Sequence, residues 1–561
     1  MKYTVLSPWA EVDESRQSGL SPRLNTLNGK CIGMFGDIMD LSVYMLRAVE
    51  AQLKKTWPDA QFSYLQYHKE TVRIEDDPKF KTEFDAWAGQ CDAIMAFYGS
   101  VPSSSLYLGY NAAYIEKLGI PTVLLASART KSTAARGVKA FGVPKLRIVE
   151  FDMRPDRIFN TGSAEEIAAE MTPGIEELCR KLSGALMQPL TQEEQRPAAL
   201  DQHYATDVYC GTANEISSLF YRMGWTNGQP IDMPTREAVD EMLRGTDLSA
   251  DHIVARIPPM MGCATVEKIA INAVMAGCLP TYLPVLIAAV KGAMDERVIL
   301  EGWTCSQSTW GPVLTVSGPI VDEIGLNTDD NFMSPYFKAN ATIGRAFGYI
   351  MMNIGGLRPG VEDLSELGHE NRLGYCLGDS VRNDPWGPLH VDYGLGAEES
   401  AVTLFWPQEH HAHADSTVKG FLKWLCTINP YGWDPGAMLI FSPKAARLFS
   451  EQGWSRQRIL DYIVEYARHP ASETMLDWLK GNSHLPENVE LPEVDTHSTR
   501  IFWSKKHMFG LVGGGHAGAM MSVLAGGGDH GGPSVTRIEL PVQWDELVEE
   551  YRELKPQYLS Y

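Results

Sequence analysis

The apolar positions of this chain change period several times, and those changes predict its elements. From residue 30 to residue 151, short apolar runs alternate with stretches whose apolar residues recur every three or four positions. The first kind predicts buried strands and the second amphipathic helices. The pattern gives strand KCIGMFGD, a helix near 39–56, a strand near 61–66 and a helix near 79–88. Strand CDAIMAFYG, a helix near 107–118, strand PTVLLA, a helix near 128–140 and strand LRIVEF follow. Apolar strands separated by helices call for a parallel sheet covered on both faces and joined by right-handed crossovers. The expected fold class is α/β, with a doubly wound, flavodoxin-like layout for this first unit. Residues 1–28 read as irregular.

The period changes again at residues 252–278, HIVARIPPMMGCATVEKIAINAVMAGC. An alternating run passes Pro258 and Pro259, reaches Gly262, and becomes helical at Val266, Ile269, Ile271, Val274 and Met275. This is a strand, a sharp turn and a helix, the stretch around which the second half is organised. The expected division is 1–185 for the first unit, 186–230 for a connector, and 231–561 for a larger α/β unit that carries the main site. A chain of 561 residues exceeds what one core usually organises, in agreement with that division.

Charge narrows the partners. A net charge of -21 argues against nucleic acid, because phosphate binding needs clustered Lys and Arg. No run approaches ~20 uninterrupted apolar residues, so no membrane partner is expected. The N-terminus lacks a signal-peptide apolar core, which predicts a cytoplasmic protein. The nine cysteines are odd in number and contain no C-x-x-C, which predicts reduced thiols. The expected partner is a small-molecule substrate, and the size of the chain suits a homo-oligomer.

Candidate chemistry falls at strand-to-helix junctions. Ligands of open α/β sheets sit beyond the carboxyl ends of the strands, here at Gly36-Asp37, residues 99–105 and residues 127–129. Ser103 and Ser104, in the run GSVPSSS, either contact a ligand or cap the following helix. Gly262 and Thr265 are substrate-binding candidates, because the first turn of a helix leaves N–H groups unpaired at the positive end of its dipole. An ordinary βα turn is the alternative. Cys263 at that helix start is a candidate thiolate, or simply a small buried side chain.

Cys305 and Ser308 lie between Trp303 and Trp310, which suits an amphipathic pocket or plain aromatic packing. Asn340 is the expected cap of the helix ATIGRAFGYIMMNIGG. Arg345 is then placed to clamp a carboxylate or to form an interhelix salt bridge. His516 sits in the run Gly513–Gly518, between strand MFGLV and a helical MMSVL, as an acid-base candidate. A second glycine run follows at 526–532. His411 and His413 share the parity of one strand face with Glu409. With His390 they would hold a divalent transition metal, unless the segment is a loop with solvated imidazoles.

Four stretches, LNGKCIGMFGD, IMAFYGSVPSSS, YIEKLGIPTVLL and AARGVKAFGVPKLRIVEFD, resemble the small proteins named for a Sec-Gly-Ser-Cys (UGSC) motif, over roughly residues 28–185. The resemblance implies a binding loop at 99–105 with thiol or selenol redox chemistry. Here Val101 and Ser104 stand at the family's Sec/Cys and Cys positions, and without a thiol or selenol no disulfide-type bond can form in that loop. Later stretches, VEKIAINAVMAGCLPTYLPVLIAAV, VSGPIVDEIGLN, KANATIGRAFGYIMMNIGG and PWGPLHVDYGLGAEESAVTLF, are similar to the long partner proteins that accompany UGSC proteins. That similarity implies a fusion and no particular reaction.

The expectation is a soluble enzyme acting on a small polar or anionic metabolite bound at helix N-termini, with metal-assisted lyase or hydrolase chemistry. Its catalytic candidates are Cys263, Cys305 and His516. A thiol-dependent oxidoreductase using Cys263 or Cys305 and a non-catalytic binding protein remain alternatives. The enzyme reading requires Gly262, Ser308, Arg345 and His516 to line one cleft.

Overall fold

The computed structural model describes residues 1–12, 17–36, 40–67, 72–97, 102–128, 130–151, 164–197, 203–295, 297–298, 300–374, 376–428, 430, 435–470, 498–526 and 532–552. The fold class is α/β. Five parallel strands, Cys31–Gly36, Gln61–Gln66, Ala93–Ala96, Thr122–Ala126 and Arg147–Glu150, form the first sheet. Their spatial order is second, first, third, fourth, fifth. The two-residue period of a strand divides their side chains between two cores. Phe35, Ile94, Ala96, Leu124 and Ala126 face Phe84, Leu106 and Ala134 of the helices Pro78–Ala88, Pro102–Lys117 and Lys131–Ala140. Ile32, Met34, Met95, Val123 and Leu125 face Val49, Ile167 and Leu178 on the other side. All five predicted strands are present. The helix expected near 107–118 starts earlier, at Pro102, where a fixed φ suits a first turn.

The second half is a four-layer sandwich, helices outside and two four-stranded sheets within. The first sheet orders Cys376–Gly378, Val313–Ser317, Ala401–Phe405 and Ser534–Arg537. The second orders Glu409–Ala414, Met520–Gly526, Gly436–Phe441 and Met508–Val512. Val313, Leu377 and Phe405 of one sheet meet Met438, Ile440, Phe509, Leu511 and Leu524 of the other. Alternate residues face outward, Leu314, Val316 and Leu404 to one helical layer and Leu439, Phe441 and Val523 to the other. The sheets exchange edges. Ala401–Phe405 runs on into Glu409–Ala414, which pairs in the opposite sheet, and Met520–Gly526 is followed in the chain by Ser534–Arg537, which pairs back in the first. The predicted helical MMSVL is thus a strand, because hydrogen bonding to two neighbours decides a short apolar run that periodicity leaves ambiguous.

The helix Val266–Ala276 lies at the centre, with every residue except Glu267 buried. The N-terminal arm is threaded onto it rather than irregular. Tyr3–Leu6 pairs antiparallel with Val208–Gly211, Ala10 N–H donates to Asn353 O at 3.1 Å, and Trp9 stacks on Trp225. Lys268 ties this arrangement together, its Nζ donating to Ser7 O at 2.9 Å and Ala205 O at 2.7 Å. Burial pushes the Lys268 ammonium down to about 8, against the pull of Glu11 and Glu267. An unfolded lysine titrates near ~10.4, so between these values the unfolded chain holds a proton the folded chain has released. Stability is therefore expected to rise with pH from about 8 to about 10.4. Lys268→Met should flatten that rise in denaturant titrations across the window. An unchanged slope would contradict the assignment.

Among the described residues no helix is long and apolar enough to cross a membrane.

Candidate functional site at the seam between the two units

Two segments meet where the Pro102–Lys117 helix packs on the short helix Leu300–Thr304. The short helix Leu300–Thr304 closes with Thr304 Oγ1 donating to Leu300 O at 2.7 Å. Beyond it Ser306 Oγ accepts from Ser308 N, turning the chain toward strand Val313–Ser317. Trp303 and Trp310 pack edge to face, 4.5 Å between centroids, and Cys305 is fully buried beside them. The segment 361–373 is joined to this turn: Glu366 N–H donates to Gln307 O at 2.8 Å and Ser365 Oγ to Ser308 O at 2.8 Å. The His369 ring lies close against Gly311, where a Cβ would stand 2.2 Å from Nδ1.

His369 Nδ1 accepts Asn371 N–H at 3.1 Å, which places the proton of the neutral ring on Nε2. Burial lowers the His369 imidazole, helped by Arg372 and opposed by Glu370, so the neutral form is favoured near neutral pH. One turn on, Arg372 donates to Asp363 Oδ1 at 3.2 Å. Burial lowers the Arg372 guanidinium, while Asp363 and the Cys305 thiol, within electrostatic reach, pull it back up. Burial raises the Asp363 carboxyl, and Arg372 offsets part of that. Two buried atoms of this turn, Arg372 Nε and Asn371 Oδ1, have no hydrogen-bond partner among the described residues.

The first unit reaches the same seam. The Pro102–Lys117 helix, with Ser103 and Ser104 buried in its first turn, packs against Leu300–Thr304. Arg136 pairs with the buried Glu362 at 2.9 Å, and Arg358 completes that cluster.

Residues 4–181 match the UGSC family. The UGSC match spans the arm strand, the whole five-stranded sheet and the serine-bearing helix, and ends before the central helix. No curated protein matches the chain. Of the loops beyond the UGSC strands, residues 37–39, 98–101 and 129 lie outside the described residues. A groove of about 510 Å³ at the carboxyl ends of the first two strands is lined by Arg47, Glu50, Tyr64 and Gln66 and contains none of the seam residues.

The other predicted residues are placed as follows. Gly262, Cys263 and Thr265 belong to a strand, Gly262–Thr265, not to a helix start. Thr265 caps the helix, accepting Lys268 N–H, while Val266 N–H and Glu267 N–H go to His252 O and Ala250 O. With those donors satisfied, the helix start is no anion receptor, which corrects the role expected of Gly262 and Thr265. Cys263 N–H is held by Glu11 O at 2.7 Å. A Cβ at Gly262 would stand 2.1 Å from Ile354 O. Gly262→Ala is accordingly expected to cost about 1–3 kcal/mol or more, read by chemical denaturation; an unchanged midpoint would contradict the close packing.

Asn340 is inside its helix, which Phe337 caps, and its side chain bridges Asn327 N–H and Cys376 O, a correction to the expected cap. Arg345 donates to Pro230 O and Tyr349 Oη. His516 is half exposed, 3.8 Å from Asp329, and residues 527–531 of the second glycine run lie outside the described residues. Among the described residues no hydrogen bond or ion pair joins any two of Gly262, Ser308, Arg345 and His516.

His411 and His413 do share a strand face, paired with Glu409 at 2.9 Å and Asp415 at 3.6 Å. His390 sits elsewhere, fully buried, its ring nitrogens held by Ser317 Oγ and Gly396 O at 2.9 Å each. The three therefore do not fit one metal ion, and among the described residues no group of three His, Cys, Asp or Glu side chains does.

Of the expected site residues, Cys305 and Ser308 fall in one turn of the chain, and the serine-bearing helix packs on the short helix just before them. Asp363, Asn371 and Arg372 complete the seam. Their signal was an acid and a base nine positions apart in a glycine-punctuated loop, beside His369.

Proposed function

We propose that the chain is an enzyme that binds a small anionic metabolite at this seam and uses the Cys305 thiol as its reacting group. The observation that supports it is a buried thiol within electrostatic reach of Arg372, whose Nε, like Oδ1 of the adjacent Asn371, is buried with no hydrogen-bond partner among the described residues. Buried polar groups rarely go unpaired, because each costs about 1–3 kcal/mol. A carboxylate or phosphate oxygen would satisfy Arg372 Nε, and a hydroxyl or amide hydrogen of the same metabolite would satisfy Asn371 Oδ1. A cation beside a thiol favours the thiolate, which is the nucleophilic form. His369 Nε2–H is a neutral donor for charge that develops on the substrate. No step of this reading runs through a metal.

We read the strand order of the first unit as the flavodoxin-like one, whose ligand edge is the carboxyl end of the strands. On this reading the first unit supplies a wall of the site through its serine helix. The net charge of -21 favours a small anion over a polyanion, which such a surface would repel.

The test is thermal shift of the purified chain with inorganic phosphate and a panel of short mono- and dicarboxylates. At least one anion should raise the melting temperature of the wild type and not of Arg372→Met. A shift that survives Arg372→Met would contradict the site.

A further inference from the structure

A pair of thiols lies at the amino ends of two neighbouring strands of the first sheet. Cys31 opens the first strand and Cys91 lies two residues before the third, its neighbour in the sheet. The two segments are fastened together at that point: Asp92 N–H donates to Cys31 O at 2.8 Å, and Cys31 N–H donates back to Asp92 Oδ2 at 2.9 Å. Strand spacing and rise put the two Cα atoms about 6 Å apart, inside the window a disulfide needs. A Cβ at Gly33, which shares Cys31's face of the strand, would stand 2.9 Å from Cys91 Sγ, so both thiols lie on one face of the sheet. Both cysteines are partly exposed, unlike the buried Cys305, and no disulfide joins any of the nine cysteines.

We propose that Cys31 and Cys91 are a redox-modification site that closes reversibly to a disulfide on reaction with a low-molecular-weight disulfide. The Cys31 thiolate attacks one sulfur of the small disulfide, breaking its S–S bond and expelling a thiolate that takes up the proton Cys31 lost. Cys91, having released its proton, then attacks the Cys31 sulfur of the mixed disulfide and expels the second small thiolate, which is protonated in turn. Two protein thiols are oxidised, and one small disulfide is reduced to two thiols.

The order of attack follows from the surroundings. Burial, then the charge of Cys31, pushes the Cys91 thiol up to about 12, so Cys91 is the poorer first nucleophile. Once Cys31 is tied up in a mixed disulfide its charge is gone, and that part of the restraint on Cys91 disappears. The closed bond would pin the C-terminal end of helix Pro78–Ala88, where Cys91 Sγ approaches Trp87 O at 3.5 Å, to the start of the first strand.

The experiment treats the folded full chain with glutathione disulfide, followed by non-reducing peptide mapping. The expected product is a Cys31–Cys91 linked peptide, lighter by two hydrogens and lost on dithiothreitol treatment. Cys91→Ser should stop at glutathione on Cys31. Cys31→Ser should leave Cys91 reacting about tenfold more slowly or worse. The proposal is overturned if the folded wild type retains both thiols free, if it accumulates mixed disulfide at Cys31 without closing, or if the linked peptide forms only in urea.

Discussion

Replacing Arg456 with leucine is expected to destabilise the folded chain by about 3–5 kcal/mol, the range for breaking a buried ion pair by removing one partner. Arg456, 2% exposed, opens the helix Arg456–Tyr466 and reaches back into the loop 379–393 of the other sheet's half. Its guanidinium donates to Asp384 Oδ2 at 2.7 Å, Asp392 Oδ2 at 2.5 Å and Gly387 O at 2.6 Å. Burial lowers the Arg456 guanidinium, but Asp384, Asp392 and Asp379 outweigh it and leave the group raised. Asp379 in turn binds both sheets together, accepting Leu389 N–H at 2.8 Å and Val512 N–H at 3.2 Å. Without Arg456 the buried carboxylates face one another uncompensated.

The loss should also depend on pH. Burial already pushes the Asp384 carboxyl up to about 7, far above the unfolded value of ~3.9. A raised carboxyl favours the folded state below its unfolded value, and that contribution is lost as pH rises through the folded value. Removing the guanidinium raises the folded value further, so Arg456→Leu should lose more stability at pH 8 than at pH 5. Urea titrations at both pH values check this; an equal or smaller loss at pH 8 would mean that the pair is not where the stability resides.

Cys305→Ala is expected to lower kcat at least about a thousandfold for whichever anion the thermal-shift panel identifies, since removing a reacting nucleophile abolishes the covalent path. Arg372→Met removes a charge-assisted contact and should weaken binding of that anion by about 1.5–3 kcal/mol. Cys263→Ala touches neither and should leave both quantities unchanged. Steady-state kinetics and calorimetric binding separate the two effects. Full activity in Cys305→Ala, with anion binding intact, would reduce the seam to a binding site.

The first sheet was legible because its strands obey a two-residue period and its helices a three-to-four-residue one, and local pattern decides such elements. Long-range pairing decided the rest. Gly262–Thr265 reads equally as a turn, and only the hairpin with Ile253–Ile257 and the bridge from Val12 to Gly262 make it a strand. Tyr3–Leu6 looked irregular because its partner, Val208–Gly211, lies about 200 positions away. The edge exchange between the two inner sheets leaves no local mark at all. In the site, Cys305 and Ser308 stood out between two tryptophans. Asp363 and Arg372 did not, because a charged pair in a polar loop reads as solvated until its burial is known. His390 misled for the opposite reason: an imidazole near others suggests a ligand, and here both nitrogens serve the fold.

The seam is tested most directly by a crystal structure of the chain grown with the anion that stabilises it best. The account predicts that anion within hydrogen-bond distance of Arg372 Nε and Asn371 Oδ1, with a carbon or sulfur of the metabolite facing Cys305 Sγ. Density for it at Gly262–Thr265, at His411 and His413, or in the groove beside Arg47 and Tyr64, with the Arg372 turn unchanged, would contradict it.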